Sequence, residues 1–436
     1  MISLVFYVQT NYNNFICPFG PGIIISEPGA FYHRTNTEDK SLINSFYKEM
    51  TGKESVIRQF FDYSRKRAAE MGPDSVYNFS IGNPSVPAPD SVTHAMQELL
   101  ANEDPVSLHG YSPTLGLPST KKAIAESLNR RFGMQYLPEH IFPTSGAAGA
   151  LAHALRAVTK PGDTVITFAP YFPEYVPYVR GTGAELKVVP ADPSSFQINF
   201  EKLDEYLSPD VAAVLINSPN NPSGIVYTTE TVKRLAALLE DRQKEYGHEI
   251  FLITDEPYRE IVFEGTDSPF VSKFYDNSIC CYSFSKSLSL PGERIGYLAV
   301  NPAAKDAGLI VPMCGQISRF TGHNCPSSLM QRAIEGELYN TSDLGIYEKN
   351  AVILYNALTE IGYSIVRPGG TFYMFPRTPN SDANEFCWTG AKELGLITVP
   401  GDSFECPGHF RISYCVPTEQ IEKSIPLFRK LYERFA

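Results

Sequence analysis

Lys286 closes the stretch Ser283-Phe-Ser-Lys286, directly after the apolar run 279–282. An amine at the tip of an apolar strand is poorly hydrated. Desolvation disfavours its ammonium form and leaves a nucleophile able to form a Schiff base with a carbonyl. Arg294, eight residues on, offers a fixed positive charge to a phosphate. Asp255 ends a second apolar run, where a carboxylate needs a cationic partner or several hydrogen bonds. A protonated pyridine nitrogen is one such partner. Tyr258 offers a phenol three residues later, and Asn221 an amide in the loop before. Both fit an oxygen on that ring. Taken singly, each of these residues also reads as a strand-end charge or a structural hydrogen-bonder. Their joint occurrence is what carries the chemistry.

Placing them requires strands whose ends converge. Short buried strands are expected at 163–168, 185–189, 212–216, 250–253, 279–282 and 295–300, with helices between several of them. The clearest helix spans 231–246, with Val232, Leu235 and Leu239 on one face and Gly247 as a stop. Alternating strands and helices predict an α/β domain with a mostly parallel central sheet flanked by helices. Ligands of such sheets sit at the carboxyl ends of the strands. The polar segments 217–224, 255–258 and 283–286 all fall there.

Upstream, a helix is expected over 54–67, a strand over 77–81, then the rigid loop Gly82-Asn-Pro84-Ser-Val-Pro87-Ala-Pro89. Asp90 is a candidate cap for the next helix. Pro118 opens a helix carrying Ile124, Leu128 and Phe132. Pro143-Thr-Ser-Gly-Ala-Ala-Gly149 turns into another, and small residues at a helix start leave N–H groups open to an anion. Downstream, 327–358 reads as largely helical, 363–366, 371–375 and 410–414 as strands, and 418–433 as a terminal helix kinked at Pro426. This predicts a smaller α+β domain. The expected division is 1–45 as an extension of unknown role and 46–95 as the N-terminal part of the small domain. The large domain takes 96–324, and 325–436 is the small C-terminal domain.

At 436 residues, 43% hydrophobic and a net charge of −11, the chain suits a soluble globular protein working on small molecules. No basic run stands out, which argues against a nucleic-acid surface, and no apolar stretch is long enough to span a bilayer. Eight scattered Cys without a CxxC pair predict buried thiols of a reducing, cytoplasmic compartment and no zinc site. Residues 1–33 hold no Lys or Arg and one acid, Glu27, which fits neither a secretory nor a transit signal. An ordered arm, a disordered tail and a start misplaced upstream of Met50 remain open for this segment.

From about Ser55 to Phe435 the chain resembles the fold-type I pyridoxal-phosphate-dependent aminotransferases, the class I/II or aspartate aminotransferase superfamily. The resemblance rests on Asn217-Ser-Pro-Asn-Asn221-Pro-Ser-Gly224, Asp255-x-x-Tyr258, Ser283-x-x-Lys286 with Arg294, and Phe410-Arg411-Ile-Ser. Segments 81–89 and 399–404 look like a bacterial branch often labelled aspartate aminotransferase. The resemblance implies pyridoxal 5'-phosphate as cofactor. It makes Lys286 the Schiff-base lysine and proton shuttle, and Asp255 the partner of the pyridine nitrogen. Asn221 and Tyr258 would hold the ring oxygen. Arg294, Ser283 and the Ala147 and Ala148 N–H groups would bind the phosphate, and Phe172 would stack on the ring. Arg411 would clamp the substrate α-carboxylate, helped by the Gly82 backbone. Tyr111 would reach the cofactor of a partner subunit, implying a homodimer with shared sites. Two departures stand out. Ala148-Gly149 replaces a turn that often carries a hydroxyl or amide, a hydrogen bond worth about 0.5–1.5 kcal/mol. Phe172 stands where relatives often carry Trp or Tyr.

The implied reaction is a two-stage transfer of an amino group between an L-amino acid, aspartate or alanine foremost, and a 2-oxoacid such as 2-oxoglutarate. A distal carboxylate needs a second cation. Arg319, five residues before Asn324, has the spacing of an arginine that serves this role across a dimer interface in some relatives. His109 and His323 are other candidates. A C–S lyase acting by β-elimination on the same scaffold and a non-catalytic regulatory module are the competing readings.

Overall fold

The structure is a computed structural model and describes residues 43–51 and 55–436. The expected extension, 1–45, lies outside the described residues except for its last three positions. Helix Ser45–Thr51 belongs to a separate N-terminal unit, and residues from 55 onward form one compact unit.

Seven strands make the central sheet of that unit: β1 (Ile141–Thr144), β2 (Thr164–Phe168), β3 (Glu185–Val189), β4 (Val211–Asn217), β5 (Phe251–Asp255), β6 (Ser278–Ser283) and β7 (Gly296–Val300). Their spatial order is β1-β7-β6-β5-β4-β2-β3. Only β7 runs antiparallel to its neighbours, β6 and β1; the other pairs are parallel. Parallel strands bury both faces, so successive residues feed opposite cores. Val165 and Ile253 pack under helices Gly146–Val158 and Ala307–Thr321, while Ile166 and Leu252 pack against helix Thr229–Tyr246. This is the expected α/β fold with a mostly parallel sheet.

A second set of short strands lies beyond it. Val399–Pro400, Phe410–Ser413 and Tyr373–Met374 form an antiparallel ladder, and Tyr77–Asn78 pairs in parallel with Leu396–Ile397. Helices Val56–Met71, Gly345–Ile361 and Thr418–Phe435 close over them through Phe60, Leu354, Leu358 and Phe428.

Several expected elements are shorter in the structure, for identifiable reasons. The strand read over 77–81 stops at Asn78, because the Asn78 side chain takes the Ser80 N–H at 3.0 Å. Asp90 is the first helical residue, and Pro89 holds the cap position. The helical reading of 327–358 breaks into Ser328–Ala333 and Gly345–Ile361, since the Ser342 N–H donates to the Ser287 carbonyl at 2.8 Å. Segment 363–366 forms no strand. Its alternation reflects Tyr363 packing beneath the last helix, with its hydroxyl on Phe428 O at 3.0 Å. That helix continues through Pro426 to Phe435. The seven described cysteines carry free thiols, six of them buried.

Candidate active site

β4, β5 and β6 run side by side, with Asn217 opposite Asp255 and Asp255 opposite Cys281. Their carboxyl ends therefore deliver Asn217, Asp255 and Ser283 to one edge. Asn217 ties this edge together. Its amide donates to the Asp255 carbonyl at 2.8 Å, and its oxygen accepts the Asn221 N–H at 2.7 Å. The turn after Asp255 is held from below. Glu256 accepts from Arg259 Nε at 2.6 Å and also bonds the Thr254 hydroxyl, and both ionic side chains are buried.

Above this edge opens a cleft of about 360 Å³. It is lined by Gly82, Ala147, Ala148, Phe172, Asn221, Asp255, Tyr258, Ser283, Lys286, Arg294 and Arg411. Eleven residues singled out from the sequence thus converge from segments more than three hundred residues apart. Tyr111 and Arg319 do not line it. Tyr111 is fully exposed, and Arg319 lines a separate hollow with Arg156 and Phe320. His109 is exposed, and the His323 ring lies 5.5 Å from that of His153, outside the cleft.

At one end of the cleft the N-terminus of helix Gly146–Val158 faces Arg294. The guanidinium donates to Ser145 O at 3.1 Å and Pro291 O at 3.0 Å. Gly146 has φ +76°, and a Cβ there would sit 2.8 Å from Arg294 Nη2. Ser283 and Ser285 hydroxyls are 2.7 Å apart beside it. Open helix N–H groups, two hydroxyls and a guanidinium form a cradle suited to a phosphate dianion.

At the floor, Asp255 is fully buried. Burial raises its carboxyl to about 7, a hydrogen bond from Tyr175 opposes the rise, and neighbouring Glu256 adds to it. Tyr175 Oη donates to Oδ2 at 2.6 Å, and Oδ1 has no partner. Tyr258 shares a 3.2 Å hydrogen bond with Tyr373. Lys286 reaches across to the Gly82 carbonyl at 2.7 Å, and burial draws its ammonium down to about 8, with Arg294 and Arg411 adding to the effect. A buried carboxylate oxygen without a donor is costly unless a cationic or N–H partner meets it. The residues present therefore fit a phosphorylated heterocycle with a protonated ring nitrogen.

At the other end, Arg411 is buried between the rings of Tyr373 and Phe404, at 4.7 and 4.9 Å from their centres. It donates to Asn221 Oδ1 at 2.9 Å and Ser80 O at 2.6 Å, while its Nε is unpartnered. A Cβ at Gly82 would overlap the Tyr373 hydroxyl at 1.9 Å, so any larger residue there must displace that ring. Sequence reasoning did not assign roles to Asn217, Ser285, Tyr373 or Tyr175. Ser285 lay in plain view, inside Ser283-x-x-Lys286. The others act through partners tens or hundreds of residues away, and spacing carries no sign of that.

The family model for aminotransferase class I and II matches residues 74–425. An amino transferase from Eubacterium rectale superposes with a TM-score of 0.88 at 46% identity, over 91% of this chain and 99% of that one. The aspartate aminotransferase of Thermotoga maritima superposes with a TM-score of 0.80 at 26% identity, over 90% of this chain and 100% of that one. A probable aspartate/prephenate aminotransferase of Thermus aquaticus is 30% identical over 361 residues, 80% of this chain and 89% of its own length. The chain belongs to the class I and II aminotransferases. It is a transaminase, and the lyase and regulatory readings are not favoured.

Proposed function

We propose that the cleft holds pyridoxal 5'-phosphate, bonded at Lys286, and that the enzyme moves an amino group between an L-amino acid and a 2-oxoacid such as 2-oxoglutarate. The observation that carries this reading is the pairing of a buried carboxylate, one oxygen unpartnered, with a poorly hydrated lysine in one cleft. When bound, the cofactor supplies a carbonyl for the amino group and a ring that accepts the electron pair left at Cα. Arg294, Ser283, Ser285 and the Ala147 and Ala148 N–H groups would hold its phosphate. Phe172 would lie on its face, and Asn221 and Tyr258 would hold its ring oxygen. Asp255 Oδ1 would keep a proton on its ring nitrogen. Arg411 would bind the substrate α-carboxylate, beside Gly82. Once the substrate amine has displaced it, Lys286 Nζ would take the Cα proton and deliver it to the carbon that carried the cofactor's carbonyl, help typically worth about 10²–10⁴-fold.

Aspartate is the first donor to test, since relatives from Thermotoga maritima and Thermus aquaticus carry that name. Alanine is the second, because Lys286, Arg294 and Arg411, the cations lining the cleft among the described residues, all have other roles. A homodimer would bring Tyr111 to the partner's cofactor and would offer Arg319 for a distal carboxylate. Their places outside the cleft of their own chain support that arrangement. The free thiols fit a reducing compartment, the cytoplasm.

Borohydride reduction followed by peptide mapping tests the core of this reading. The reduced cofactor should be found on Lys286, and Lys286→Ala should lose transamination. An adduct elsewhere, or a Lys286→Ala protein with parental turnover, would overturn it. Pyruvate and ammonia formed without an acceptor oxoacid would point to elimination instead.

A further inference from the structure

Tyr175 does not itself line the cleft. It opens helix Tyr175–Arg180, three residues after Phe172, and is fully buried. Its ring packs edge-on to Phe172 at 5.8 Å and stacks with Tyr171 at 6.1 Å. A buried phenol needs a hydrogen-bond partner. Here the partner is Oδ2 of Asp255, at 2.6 Å and eighty positions away in sequence. One short segment thus supplies both the ring at the cleft wall and the donor on the floor carboxylate.

We infer that Tyr175 is a positioning residue that keeps the shared proton of the Asp255–ring pair on the ring nitrogen. The inference rests on the functional reading above. Asp255 offers two oxygens, and Oδ1 is the one left without a protein partner. Glu256, Tyr258, Tyr178 and Cys281 are the other titratable groups that interact with this carboxylate, and none of them is a cation. Tyr175 is therefore the side-chain donor that stabilises the ionised form on the protein side. Without it the carboxylate becomes more basic, and the proton moves from the ring nitrogen to Oδ1. Both groups are then neutral, and the ring accepts an electron pair less readily. The fixed donor also sets the rotation of the carboxylate, so Oδ1 is the oxygen presented to the cleft.

The test uses the whole enzyme loaded with cofactor labelled with ¹⁵N in its ring, comparing the parent with Tyr175→Phe. The ¹⁵N resonance in the variant should move toward that of an unprotonated pyridine. The turnover number should fall about 10- to 100-fold, the worth of one hydrogen bond to a charged group. The amino-acid KM, set at Arg411, should change far less. A merely structural role for the phenol would not move the ring resonance, so identical resonances in parent and variant overturn the inference. Tyr175→Leu, also without a donor, repeats the comparison should the first variant fail to fold, and must give the same displacement. A parent protein that binds no cofactor at Lys286 would overturn the functional reading itself, a result separate from an unmoved resonance.

Discussion

The Lys286 amine donates to the backbone carbonyl of Gly82 at 2.7 Å, joining the loop after the first short strand to the end of β6 across 204 positions. That contact closes the cleft floor and parks the amine in a poorly hydrated place. Burial, the larger cause, and the nearby Arg294 and Arg411 lower its pKa from 10.5 to about 8. Between these values the unfolded lysine keeps a proton that the folded one has released. The unfolded state then binds more protons, so this group's contribution to stability becomes more favourable as pH rises from about 8 to 10.5.

The expected measurement is a denaturant series on cofactor-free protein, parent against Lys286→Met. The variant should be the more stable below pH 8, by up to roughly 3 kcal/mol. Its advantage should shrink toward pH 10.5, the ordinary lysine value. Burial also pushes buried tyrosine phenols and cysteine thiols up, but apart from Cys415, which interacts with the Lys286 amine, these groups are common to both proteins and cancel in the difference. An advantage independent of pH would show that the amine is hydrated.

The turn between Asp255 and Tyr258 depends on the ion pair beneath it. Arg259 bonds Glu256 at 2.6 Å, the Tyr297 hydroxyl at 2.9 Å and the Cys280 sulfur at 2.6 Å. Arg259→Met would leave the Glu256 carboxylate buried with the Thr254 hydroxyl and the Cys280 thiol but no cation. Breaking one side of such a pair costs about 3–5 kcal/mol, whereas replacing both sides is often close to neutral. Arg259→Met should therefore be strongly destabilised, and adding Glu256→Gln should recover much of the loss. A double variant no more stable than the single one would mean that the pair's other partners, Tyr297 and Cys280, dominate.

What the sequence revealed follows from how far each interaction reaches. Lys286, Asp255 and Arg294 stand at the ends of apolar runs, a local pattern with a direct physical meaning. Six of the seven central strands are equally local and were placed within a residue or two. β1 was missed because Pro143 and the small residues after it read as a loop entering a helix. Burial on both faces and pairing with β7 make it a strand, and neither is a local property. The strands of the smaller sheets were overextended for the same reason: alternation shows that a face is buried, but not whether a helix or a ladder buries it. Tyr175 and Asn217 were silent because the partner they share, Asp255, becomes their neighbour only once the sheet is assembled.

Gly146 offers the most discriminating test of the phosphate end. Its φ of +76° and the 2.8 Å separation between a would-be Cβ and Arg294 Nη2 make two separate demands for glycine. A positive φ alone costs a side-chain-bearing residue about 1–2 kcal/mol. Gly162 isolates that term, since it has φ +93° with nothing within 4 Å of a Cβ. Gly162→Ala should lose stability and leave cofactor affinity untouched. Gly146→Ala should lose stability too, and should also displace the guanidinium from the helix N-terminus. Its affinity for pyridoxal 5'-phosphate should fall at least about tenfold, the equivalent of 1.4 kcal/mol. Its affinity for pyridoxal, which lacks the phosphate, should change little. Equal losses for the two compounds would show that the substitution disturbs the whole cleft, and the phosphate assignment of Arg294 would then lose its support.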